Sequence, residues 1–259
     1  MMSQLERDLA ASLDRRRLLG GMALGLGGAV LAACGSRAGA QGSTACPPTP
    51  TEIRGPFPAD GTNGRPRPIN VLDLDGIVRR DIRSSFAGMD GRAEGVPLEL
   101  ELRLVGTSCD ATPGRAIYLW QNDAAGAYSL YNLPDANYLR GMQPADAEGL
   151  VRFTAIVPGC YGGRFPHCHF EVFESAEAAI GGARPLLVSQ LAFAADECRR
   201  IYRDDARYGD SLRNLERLPI GRDFVFGDSD AEGQTRQTIQ LRGDPESGYR
   251  GTATVALTA

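Results

Sequence analysis

The chain has 259 residues, 42% of them hydrophobic and 23% charged. That suits one globular domain with a sizeable core and excludes a disordered or membrane-embedded bulk. Its formal net charge of −4 gives no broad attraction to nucleic acid, which needs a clustered basic face. All 28 basic residues are arginine. The absence of lysine excludes Schiff-base chemistry, pyridoxal phosphate attachment and the phosphate-binding loop. Only two histidines exist, His167 and His169, so imidazole chemistry is confined to that stretch.

In chain order, residues 1–33 read as an export signal. Asp14-Arg15-Arg16-Arg17-Leu18-Leu19 leads into the glycine-rich apolar run from Gly20 to Ala33, and paired arginines ahead of such a run resemble the twin-arginine type of signal. The run falls short of the roughly 20 residues that a membrane span needs. Leu31-Ala32-Ala33-Cys34 looks like a lipobox, with cleavage before Cys34 and a lipid anchor on it; the rival is a soluble secretion signal in which Cys34 is incidental. The expectation is an exported protein of the periplasm or cell envelope, lipid-anchored to the membrane. Residues 34–48 read as a tether, and residues 49–259 as one folded domain. Behind the signal, Cys46, Cys109, Cys160, Cys168 and Cys198 remain. An odd count leaves at least one thiol free or paired between molecules. Cys46 with Cys109 is the preferred bridge, since it pins the N-terminal segment to the sheet.

Leu98, Leu100, Leu102 and Leu104 alternate with Glu99, Glu101, Arg103 and Val105, the period of two that marks a half-buried strand. Further β-rich runs follow at Ala116–Trp120, Val151–Val157, His167–Phe173, Val188–Phe193, Phe224–Phe226, Thr238–Leu241 and Thr252–Leu257. Clusters of Pro, Gly, Asn and Asp separate them. A helix is predicted over Ala195–Asp204, with Arg199, Arg200 and Arg203 toward its C-terminal end. This pattern predicts an all-β domain, a single antiparallel β-sandwich with one or two short helices. Whether the chain works as a monomer or a homo-oligomer stays open.

His167-Cys168-His169 lies in one predicted strand, so both imidazoles project to the same face and Cys168 to the other. Alone, such a pair is weak evidence of a metal site. Its neighbours sharpen it. Pro158-Gly159-Cys160-Tyr161-Gly162-Gly163-Arg164 presents Tyr161 and Arg164 from a turn just ahead of the pair. Upstream, Asp123-Ala124-Ala125-Gly126-Ala127-Tyr128 places a second tyrosine after the strand ending in Trp120. Together these stretches resemble the intradiol ring-cleavage dioxygenases, the family of the protocatechuate 3,4- and catechol 1,2-dioxygenases. The resemblance extends through Tyr138-Leu139-Arg140-Gly141, Gly149, Phe153 and Ser189-Gln190-Leu191, and spans residue 46 to the C-terminus.

The resemblance implies a non-haem Fe(III) held by Tyr128, Tyr161, His167 and His169. Phenolate is a hard anionic donor suited to hard ferric iron, and two phenolates with a hydroxide cancel its charge. It further implies cleavage of a catechol-type ring by dioxygen between its two hydroxylated carbons, giving a cis,cis-muconate. Tyr161 is then the leaving ligand and base, Arg164 stabilises the anionic substrate, and Gln190 lies near the metal. Ile53-Arg54-Gly55-Pro56-Phe57 looks like the segment at the substrate mouth, with Pro56, Phe57 and Arg164 as substrate contacts. Cys160, Cys168, Asn122 and Arg54 depart from the usual pattern, which puts the identity of the ring in doubt rather than the reaction class.

Three rivals stand beside this reading. His167, His169, Glu174 and Gly181 fit the spacing of a cupin's first metal motif, with Glu171 also on the histidine face, but the third histidine of cupins is missing. A zinc site using Cys160 and both histidines suits zinc chemistry and leaves Tyr128 and Arg164 without a role. The last rival is a non-catalytic envelope lipoprotein that binds a ligand or partner through a β-sandwich.

Overall fold

The leucine alternation becomes β1 (Pro97–Val105), whose Leu98, Leu100, Leu102 and Leu104 are buried while Pro97, Glu99 and Arg103 face water. The computed structural model describes residues 45–63 and 68–258. The signal segment, Cys34 and residues 35–44 of the tether lie outside the described residues. Cys46–Ala259 forms one unit.

After β1 come β2 (Ala116–Trp120), β3 (Arg140–Pro144), β4 (Leu150–Ile156), β5 (His167–Phe173) and β6 (Leu187–Phe193), with α1 (Ala176–Ile180) between β5 and β6. Helices α2 (Ala195–Asp204), α3 (Ser211–Arg217) and α4 (Ala231–Arg236) precede β7 (Thr238–Asp244) and β8 (Gly248–Ala256). The eight strands make one sheet in the order β3-β2-β5-β6-β7-β8-β1-β4. Its edge strands are covered: residues 78–81 bridge to both, Val78 with Met142 of β3 and Asp81 with Thr154 of β4. Such covering protects edges from pairing with other chains.

The β2–β5–β6 region is buried on both faces, and the faces differ. Ile117, Leu119, Cys168, Phe170, Val172 and Leu191 point into the main core, which they share with the four leucines of β1 and with Val151 and Phe153 of β4. Tyr118, Trp120, Met142 and Phe173 point the other way into a smaller cluster that includes Tyr128. His167, His169 and Glu171 lie on that second face, because side chains alternate along a strand.

The all-β expectation holds, with corrections. The pairing is not antiparallel throughout: β1 with β8 and β6 with β7 run parallel. Among the described residues four short α-helices occur instead of one or two. The strand expected at Phe224–Phe226 is a turn leading into a 3-10 helix, Phe226–Asp228. There the Asp223 carboxylate accepts from the backbone N–H of Val225 and Phe226, capturing amides that a strand would pair. Nothing in Arg-Gly-Met-Gln-Pro announces β3. It pairs fully with β2, and a Cβ at Gly141 would clash with Ile82 of the crossing segment.

Candidate metal centre

Register builds the site. Arg140 lies opposite Trp120, Trp120 opposite His169 and His169 opposite Gln190, one row of same-face side chains across four strands. The Trp120 ring stacks on His169 with centroids 5.0 Å apart and planes within 6°. His167 Nδ1 stands 2.6 Å from Phe165 O; a carbonyl only accepts, so Nδ1 carries the proton and Nε2 presents its lone pair to the cluster.

The two tyrosines arrive from turns that are stitched together. Asp123 Oδ1 accepts from the N–H of Ala125 and Ala127, shaping the turn before Tyr128. Gly159 N–H donates to Asp123 O, and Asn122 Nδ2 donates to Gly159 O. Gly126 has φ +85°, and a Cβ there would stand 3.1 Å from Tyr161 Cβ. A left-handed backbone and close approach both call for glycine at that position.

Four donor atoms then converge. Tyr128 Oη lies 3.4 Å from His167 Nε2 and 3.1 Å from His169 Nε2, Tyr161 Oη lies 3.3 Å from His167 Nε2, and the two Nε2 atoms are 3.1 Å apart. Donors each about 2.1 Å from a shared ion stand roughly 3.0–3.4 Å apart at near-right to tetrahedral angles. The set fits a metal. Burial holds His167 and His169 well below the ordinary histidine range, the Arg164 charge adding to it at His167 and the neighbouring imidazole at His169. Both imidazoles are therefore neutral near pH 7. Burial raises Tyr128 far above, and Tyr161 above, the ordinary phenol value, so each phenol keeps its proton until a cation displaces it. Tyr128 and both histidines are fully buried. Tyr161 is partly exposed.

Arg164 sits behind Tyr161. Its Nε donates to Asp223 Oδ2 at 2.9 Å and its Nη2 to Gln190 Oε1 at 2.7 Å, while Nη1 lies 3.1 Å from His167 Nε2. Gln190 Nε2 in turn donates to Ile53 O at 2.8 Å. The N-terminal segment thus crosses the site: Gly55 packs on His169, and the Phe57 ring stands 4.8 Å from that of Tyr128. Pro56 O accepts from Asn63 Nδ2. Arg54 pairs with Glu171 and Asp60. Burial, with the Asp60 charge beside it, pushes Glu171 up to about 7 against the pull of Arg54.

The metal-site rivals fare poorly on this geometry. Among the described residues no three His, Cys, Asp or Glu side chains gather as metal ligands. Cys160 Sγ donates to Arg164 O and packs in the main core. Glu174 pairs with Arg115 at the surface. Sequence reasoning missed Asp223, which is buried and also accepts from Phe165 N–H at 2.7 Å. Its one sequence signal is an aspartate opening the apolar run Phe224-Val225-Phe226.

A family model described as Dioxygenase matches residues 81–205. No curated protein matches in sequence. Among solved structures, an intradiol ring-cleavage dioxygenase from Tetranychus urticae is similar at 21% identity and TM-score 0.61, covering 82% of this chain and 95% of its own. The dioxygenase domain of a carbohydrate-binding fusion protein from Streptomyces sp. SirexAA-E is similar at 24% identity and TM-score 0.50, covering 82% and 99%. These likenesses carry the fold. The family match over residues 81–205, on this all-β fold, indicates an enzyme of dioxygenase type.

Proposed function

We propose that the chain binds Fe(III) through Tyr128, Tyr161, His167 and His169 and cleaves a catechol-type ring with dioxygen between the hydroxylated carbons, yielding a cis,cis-muconate in the catabolism of aromatic compounds. The observation that carries this reading is the convergence on His167 Nε2, at 3.1–3.4 Å, of both phenol oxygens and His169 Nε2, with Tyr128 Oη also 3.1 Å from His169 Nε2. When bound, the ferric ion supplies Lewis acidity and accepts electron density from a catecholate, which makes its ring reactive toward dioxygen. Tyr128 and the histidines anchor the ion from the buried side. Tyr161 Oη accepts a proton from the entering catechol hydroxyl. Arg164, fixed by Asp223 and Gln190, keeps a positive charge where the substrate turns anionic. Phe57 and Pro56 form the wall against which the ring is oriented.

Export to an oxidising compartment is part of the proposal, with Cys34 carrying a lipid. The Cys46–Cys109 disulfide supports it, because such bonds persist outside the cytosol. Fatty-acid labelling of the wild type, lost in Cys34→Ala, checks the anchor. Oxygen uptake by iron-loaded protein against catechol, protocatechuate, hydroxyquinol and halogenated catechols tests the activity. The expected result is uptake with at least one member by a protein that is red to burgundy from iron–tyrosinate absorption. Full iron content with no uptake from any of them would instead favour an envelope binding protein.

A further inference from the structure

Arg140 is the largest charged side chain with no exposure at all, and among the described residues no carboxylate pairs with it. Its guanidinium is solvated by neutral oxygens alone. Nε donates to Ser129 Oγ at 3.0 Å and Nη2 to Ser129 O at 2.9 Å. Nη1 donates to Phe57 O and Pro58 O, both at 3.0 Å, and reaches Tyr118 Oη at 3.4 Å. Burying a cation this way is expensive, and an apolar side chain would fill the space at lower cost. What only the fork does is grip two separate segments at once.

Those segments are the two that shape the centre. Ser129 adjoins Tyr128; Phe57 and Pro58 form the wall facing it. The same guanidinium lies 5.5 Å above the Tyr131 ring. Tyr131 Oη accepts from Ala59 N–H at 3.0 Å and donates to Asn63 Oδ1 at 2.9 Å, and Asn63 closes on Pro56 O. Arg79 holds the Arg140 carbonyl from behind. We propose that Arg140 is a positioning residue, whose single guanidinium sets the Tyr128 turn and the facing wall, Pro56–Pro58, at a fixed separation across the metal centre.

This rests on the reading of Tyr128 as a ligand, so the test has one arm with metal and one without. In metal-free protein, hydrogen exchange is followed in wild type, Arg140→Met and Arg140→Lys. The methionine variant is expected to exchange at least tenfold faster at both Ala59 and the 128–130 turn, with β5 amides unchanged, and lysine to recover part of the protection. In iron-loaded protein, Arg140→Met is expected to lose at least tenfold in iron affinity, to shift the iron–tyrosinate absorption and to raise KM more than it lowers kcat. Lysine again recovers part. Protection retained at both segments, loosening of only one, or loosening spread evenly over the strands overturns the proposal. A wild type that takes up no iron defeats the ferric reading, while the exchange arm still decides the role of Arg140. If the methionine variant does not fold, Arg140→Lys and Ser129→Ala answer the same exchange question.

Discussion

Removing the charge of Asp223 tests how the Arg164 side of the site is built. The carboxylate and guanidinium are both buried, with side-chain exposures of 0% and 3%, and meet at 2.9 Å. Breaking a buried pair by deleting one partner costs about 3–5 kcal/mol, because the survivor is left charged and uncompensated. Asp223→Asn also turns an NH2 group toward a site crowded with donors. The N–H groups of Phe165 and Val225 reach the carboxylate at 2.7 and 2.9 Å, and one amide oxygen cannot satisfy these and the guanidinium together. For a domain of this size each kcal/mol moves the midpoint by about 2–4 °C, so Tm is expected to fall by roughly 6–20 °C. Thermal unfolding of metal-free protein measures it. The double variant with Arg164→Met should lie closer to wild type than the two single losses summed, since the stranded charge is gone. An Asp223→Asn variant within about 1 kcal/mol of wild type, or strict additivity in the cycle, would refute the account of Arg164 as held by this carboxylate.

Gly55→Ala places a Cβ 3.0 Å from His169 Cε1 at φ +76°; a loss of about 1–2 kcal/mol in thermal unfolding is expected from the backbone alone, together with weaker iron binding in titration. Reducing the Cys46–Cys109 bond, which spans 63 residues, frees a loop whose closure entropy is worth about 4 kcal/mol; an unfolding midpoint in urea unmoved by reductant would contradict that. Cys160, Cys168 and Cys198 are buried with thiols pushed up to about 12, so iodoacetamide at pH 8 should leave all three unmodified in native protein, as peptide mapping would show. Glu171, at about 7 when folded against an ordinary 4.5, keeps a proton that the unfolded chain releases. Its stabilising effect is full below pH 4.5 and is lost as pH rises through 7. Metal-free Glu171→Gln should therefore show a flatter stability profile across that window, and curves that run parallel to wild type would count against it.

What could be read from the sequence follows from how locally each feature is encoded. The β1 leucines declare a strand within eight residues, and His167 and His169 share a face because a strand's period is two. The turns that carry Tyr128 and Tyr161 are legible for a similar reason: Gly126 and Gly159 stand where a Cβ would strike the neighbouring turn, so each glycine marks a contact as well as a bend. The parallel pairing of β1 with β8 has no such mark, since it depends on which distant strand fills the place beside β1. Arg-Gly-Met-Gln-Pro becomes β3 because β2 offers a full ladder, not because its own residues favour one. Asp223 stands 59 residues from Arg164, with no periodic relation between them. Buried charge is the common element in what stayed hidden. Asp223 looks in sequence like an ordinary surface residue, and nothing local marks Arg140, Arg164 or Glu171 as buried; each is held inside by a partner that only the fold supplies. Apolar residues announce burial by themselves, whereas a polar residue is buried only where its hydrogen bonds are met. The polar frame of a site such as this one is therefore fixed by long-range geometry.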